Sequence, residues 1–240
     1  MQVVDLVLTG VPVAAAGGAG VTATVRQPGA RLTSALQHFA AGVVIAAAAL
    51  ELLPEVVRES GLVAVVGFGL GIAVMFGMRA VTDRLESRPT TRASGGSLPM
   101  GMIGATAIDF LIDGLVLGAG FTAGGHTGVL LAIALAIEYL FVGLSLAGSL
   151  GTEASRTVRL VLPLLLSLLS VAGAFLGVWL LAGVSPVVLA GVLAFGAVAF
   201  MYLATEELLV EAHESGETAL GSATFYVGFL AVLMIEQALR

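Results

Sequence analysis

Cysteine is absent from the 240 residues, and so is lysine: all ten basic residues are arginine. Without cysteine there are no disulfides, no thiolate metal sites and no cysteine nucleophile. Charged residues of either sign are scarce, at 11% of the chain, and histidine occurs only three times. The net charge of −6 gathers mainly in short loops and points to no particular partner. So few basic residues give no footprint for nucleic acid. Neither G-x-S-x-G nor H-E-x-x-H occurs, so the common serine-hydrolase and zinc-protease signatures are missing. What is plentiful is apolar. Hydrophobic residues make up 58% of the chain, and the mean hydropathy is +1.08, well above a soluble domain. The 32 glycines fit the same setting, since membrane helices tolerate glycine better than soluble ones. The composition is that of an integral membrane protein.

Crossing about 30 Å of hydrocarbon takes about 20 apolar residues in a helix. Runs of that length place eight spans at about 3–24, 36–56, 61–81, 100–122, 127–149, 158–182, 186–211 and 219–238. The first is diluted by GGAG (17–20), opens on Asp5 and lacks a basic leader, so it reads as a span and not as a cleaved signal peptide. The one sizeable linker, 82–99, is rich in Arg, Ser, Thr, Pro and Gly and divides three spans from five. With both termini outside, the inner loops carry Arg26, Arg31, Arg79, Arg84, Arg88, Arg92, Arg156 and Arg159. Only Arg58 and Arg240 then fall outside, the orientation that positive charge favours.

The chain also repeats itself. FAAGVVIAAAALELLPE (39–55) aligns without gaps on FGAVAFMYLATEELLVE (195–211), at an offset of 156 residues. Glu51-Leu52-Leu53 meets Glu207-Leu208-Leu209, and Glu55 meets Glu211. These are the second and seventh spans. A shift of five spans reverses direction, so the copies form an inverted repeat of spans 1–3 and 6–8 around spans 4 and 5. In transporters built this way the substrate site lies near mid-membrane at the repeat interface.

Asp109 and Asp113, in ATAIDFLIDGLVLGAGF (105–121), and Glu138 are the ionisable groups deepest in the predicted spans. Asp109 and Asp113 stand i and i+4 and share one helical face. A charge at the bilayer centre costs at least about 2.5–3.5 kcal/mol on insertion scales. With no arginine in the central spans, the three acids must be protonated, hydrated or bound to a cation. Gly114-x-x-x-Gly118 and Gly143-x-x-x-Ala147 offer small faces, expected to bring spans 4 and 5 together. Glu51, Glu206 and Glu207 lie near span ends, where acids reach interfacial water. The Glu51/Glu207 match leaves open a role as gate or relay residues. His38, His126 and His213 show no ligand spacing and read as solvated. Met75, Met78, Met100, Met102 and Met201 read as packing, and Tyr139, Trp179 and Tyr202 as packing or interface residues.

Taken together, eight spans in a 3+2+3 arrangement, with a linker after the third, resemble the ZIP (Zrt/Irt-like) divalent-metal transporters. The likeness runs over nearly the whole chain and is most specific in HFAAGVVIAAAALELLPE (38–55) and DFLIDGLVLGAGF (109–121). It implies an all-α integral membrane protein, eight transmembrane helices in a 3+2+3 inverted-repeat bundle. The second stretch resembles that family's fourth-span motif, H-N-x-x-[DE]-G-x-x-x-G. On this match Asp109 stands for the histidine, Phe110 replaces the asparagine, and Asp113-Gly114 keeps the acid-Gly pair. The fifth-span motif maps onto EYLFVG (138–143). There Glu138 takes the first ligand position, or the acid position if the register moves by one. In the first register Tyr139 and Val142 replace the remaining ligands. SLLSVAGAFLG (167–177) has no acid where the family often has one in span 6, and the linker lacks the family's histidines.

The resemblance thus implies a metal site of Asp109, Asp113 and Glu138, with a second, bridging metal position stripped of its ligands. Carboxylates without imidazole favour harder ions such as Mg²⁺, Mn²⁺ or Fe²⁺, although zinc binds them too. The expectation is a transporter, not an enzyme, with a divalent metal ion as cargo and no tightly bound cofactor. It sits among the lipids of a prokaryotic plasma membrane, with a homodimer open as its assembly. Three alternatives remain open: transport of protons or another cation, a non-transporting sensor or scaffold, and an intramembrane enzyme. The last would want its two aspartates on separate helices.

Overall fold

The structure, a computed structural model, describes residues 3–25, 29–86, 100–150, 154–214 and 218–239. Eight helices are long and apolar enough to cross a membrane, and the described residues contain no strand. They are α1 (Val3–Val25), α2 (Ala30–Val57), α3 (Gly61–Glu86) and α4 (Met100–Ala123). After them come α5 (Gly125–Ser149), α6 (Arg156–Leu181), α7 (Pro186–Glu214) and α8 (Ala219–Leu239). Every expected span has its helix. The first five residues of the expected linker belong to α3, and the rest of it, with Arg88 and Arg92, lies outside the described residues, as do Arg26 and Arg240.

Serines start two of the helices. The side chains of Ser155 and Ser185 accept from Val158 N and Val188 N, and Pro186 follows the second cap. Such caps satisfy backbone donors that have no partner within the helix.

Burial separates inner from outer helices. In α2, α5 and α7 more than half of the spanning window is buried, 61%, 56% and 56%, against 17% in α3 and 22% in α8. The outer helices turn Leu62, Val65, Leu70, Tyr226 and Leu230 outwards, a surface suited to lipid.

The neighbour pattern is that of an inverted repeat. α4 packs on α6 as α5 packs on α1, and α3 packs on α7 as α8 packs on α2. A second mark of the repeat lies in the backbone. α2 and α7 each loosen into a π-helical stretch, Ala48–Leu52 and Leu203–Leu208. The offset of 156 carries the first onto Ala204–Leu208, inside the second. Irregularities of this kind are rare and often sit at functional sites; Glu51, Glu206 and Glu207 fall within them.

The small-residue faces work, but not between the expected partners. A Cβ on Gly114 would lie 2.1 Å from Ser170 O, and one on Gly118 would lie 2.5 Å from Ala174 O, both on α6. Gly143 abuts Ala19 of α1. Spans 4 and 5 do touch, through bulky side chains: Phe110 stacks on Tyr139 with centroids 4.0 Å apart. The glycines instead fasten the central pair to the flanking repeats.

Candidate metal centre

α4 brings Asp109 and Asp113 to one face, and α5 sets Glu138 opposite them. One ligand oxygen from each of the three lies within 4.8 Å of the others. Asp113 is 2% exposed and Glu138 is wholly buried. Among the described residues, Asp113 Oδ2 and both Glu138 oxygens are buried without a hydrogen-bond partner. Nor does any ion pair among those residues involve the trio. Two unit charges at that separation repel by about 3.5 kcal/mol at an effective dielectric of about 20. Three ionised carboxylates therefore need a proton or a cation among them. An oxygen-only donor set with unpartnered lone pairs is what a hard divalent ion demands.

One end of the bundle gives access to the trio. A cavity of about 320 Å³ is lined by Met75, Met78, Arg79 and Thr82 of α3, Met102, Ala105, Thr106 and Asp109 of α4, Val142 of α5, and Tyr202, Glu206 and Glu207 of α7. It reaches Asp109 and leaves Asp113 and Glu138 behind it. Arg79 donates to Glu206 across the cavity at 2.5 Å, tying α3 to α7. At the opposite end, a cavity of about 460 Å³ is lined by Glu51, Glu55, Arg58, His126 and Glu236, among others. The two cavities share no lining residue.

The aromatic substitutions also have a place. Phe110 and Tyr139 are both fully buried, and Tyr139 OH donates to Phe110 O at 3.4 Å. Neither side chain adds a carboxylate or imidazole to the trio, and their stack joins α4 to α5 beside it.

Several expectations need correction. His38 is not solvated: it is 2% exposed and its ring lies 5.2 Å from that of His213. His126 stands 3.6 Å from Glu51, so it too has a partner. Glu51, placed near interfacial water, is 5% exposed, in the lining of its cavity. Met75, Met78 and Met102 line the cavity below Asp109 besides packing; Met100's side chain lies outside the described residues. Tyr202 lines that cavity too, edge-on to Phe76, while Trp179 faces outwards at 74% exposure. The Arg79–Glu206 pair was missed because Arg79 was weighed only for topology; an arginine inside the predicted third span was the available signal.

Compared with family models and with curated proteins, the chain matches none.

Proposed function

We propose that the chain is a ZIP-like transporter that moves a divalent cation of the Mn, Fe, Mg or Zn class through Asp109, Asp113 and Glu138. The observation that carries this reading is the convergence of three carboxylates within 4.8 Å, without a basic partner, between the central helices of an inverted repeat. Support comes also from the cavity that reaches Asp109 from the Arg79 end. In this reading the Arg79 end faces the cytoplasm of a prokaryote, both termini lie outside, and the site is open inwards. Glu51 and Glu207 then serve as gate residues of the two repeats. The test is uptake of Mg²⁺, Mn²⁺, Fe²⁺ and Zn²⁺ by proteoliposomes. Uptake of at least one of them that needs all three acids supports the reading. Proton flux without metal uptake would favour transport of another cation, and absence of both a non-transporting sensor.

A further inference from the structure

We propose that His38 and His213 form a second cation site, separate from the carboxylate trio, for an imidazole-preferring divalent ion of the zinc class. It lies where α2 begins and α7 ends, and it stands whether or not the trio carries metal.

The argument begins with protons. His38 Nδ1 lies 2.8 Å from Ser34 O, one turn back on its own helix. A carbonyl oxygen only accepts, so Nδ1 carries the hydrogen, and in the neutral ring Nε2 is left with a bare lone pair. That Nε2 is buried, with no hydrogen-bond partner among the described residues. His213 is held in the same way, its Nδ1 donating to Leu209 O one turn back on α7. Anchoring one ring nitrogen to a backbone carbonyl is the usual support of a metal-bound histidine.

The spacing of the rings agrees. Their centroids are 5.2 Å apart and the planes are tilted by 55°. Two imidazoles on one tetrahedral zinc, each at a Zn–N distance of about 2.0–2.1 Å, hold their centroids roughly 5 Å apart. The helices are also fastened at this point. Ser34 Oγ donates to Ala212 O at 2.7 Å, joining α2 to α7 beside both rings. Thr224 Oγ1 of α8 donates to Ala35 O at 2.5 Å. His213 is exposed, so water can reach the pair and complete the coordination. Donor chemistry separates the two sites: imidazoles favour zinc, whereas the trio offers only oxygen.

The test uses the full chain in detergent with Asp113→Asn, which cripples the trio, and adds His38→Gln or His213→Asn. Zn²⁺ binding is followed by calorimetry and Co²⁺ binding by its visible spectrum, with size-exclusion profiles as the check on folding. The expected result is that the Asp113→Asn chain binds about one Zn²⁺ with a tetrahedral Co²⁺ spectrum. Either histidine substitution should then weaken binding by more than about tenfold. Because His213 is exposed, its variant tests the site even if His38→Gln fails to fold. Zn²⁺ affinity unchanged by His213→Asn, or no Zn²⁺ bound by the Asp113→Asn chain, overturns the proposal. Failure of the transport reading is seen separately, in metal uptake by the wild type.

Discussion

Asp113→Asn tests the trio with least disturbance, since asparagine nearly matches aspartate in shape and the position is 2% exposed. The substitution has two opposed electrostatic consequences. In the empty protein it removes two of the three mutual repulsions, each about 3.5 kcal/mol if both partners are ionised, so the apo fold should be unchanged or more stable. With metal bound, it removes the attraction between one carboxylate and a doubly charged ion. At an oxygen–metal distance of about 2.1 Å that attraction is roughly twice the two repulsions lost, taken at 4.8 Å and whatever the dielectric. Metal binding must therefore weaken. A net loss of about 2.7 kcal/mol, a fair share of that difference after screening, is about 100-fold in affinity. The assay pairs thermal unfolding in detergent, with chelator or with Mn²⁺, and uptake in proteoliposomes. The wild type should gain stability with metal, by about 2.7 kcal/mol at 100 times the dissociation constant. The variant should lose that gain and its uptake while its apo melting temperature holds or rises. Normal uptake by a folded Asp113→Asn protein, or a metal-induced shift equal to the wild type's, would refute the assignment.

Asp109→His supplies the imidazole that the trio lacks, so Zn²⁺ uptake should rise relative to Mn²⁺; a wild type that already prefers Zn²⁺ by a wide margin would contradict the hard-ion reading. Gly114→Ala places a methyl 2.1 Å from Ser170 O, and forcing α4 from α6 should cost about 1–3 kcal/mol in thermal or denaturant unfolding. Gly104→Ala, on the same helix with nothing within 4 Å, should instead stabilise by up to about 1 kcal/mol. Equal effects at the two glycines would show that the close approach is not needed.

The helices were legible in the sequence because a bilayer demands a length of apolar chain that few other settings do. Their ends were less so, and α2 shows why. It begins at Ala30, ahead of the apolar run at 36, and Ser34 in that added stretch is buried within the protein and not exposed to water. Hydropathy counts such residues as loop, whereas here Ser34 satisfies a carbonyl of α7. The trio was legible for the opposite reason: carboxylates in otherwise apolar runs stand out. Gly114 and Gly118 announced a close approach but could not name α6 as the partner, since a small face says nothing about what fills it. The His38–His213 contact depends on folding α7 back against α2, and no local pattern carries that information.

The repeat allows one further step, from the observed state to its counterpart. The symmetry exchanges α3 with α8, α4 with α5 and α7 with α2. The cavity below Asp109 is lined chiefly by α3, α4 and α7, and the cavity at the other end by α2, α5 and α8. Each cavity is thus built from the symmetry mates of the other, and only the first reaches the trio. Exchanging the conformations of the two repeats should close the Arg79–Glu206 side and deepen the Glu51 side towards Glu138. Glu51 is 5% exposed and Glu207 is exposed, so in the present state a cysteine at 207 should label fast and one at 51 slowly. The natural chain contains no cysteine, so no background must be removed. Saturating metal shifts the two states only by its differential affinity for them, so changes in labelling should be partial. They should nonetheless run in opposite directions at 51 and 207. Changes of the same sign, or none at either position, would replace alternating access with a channel-like or non-transporting role.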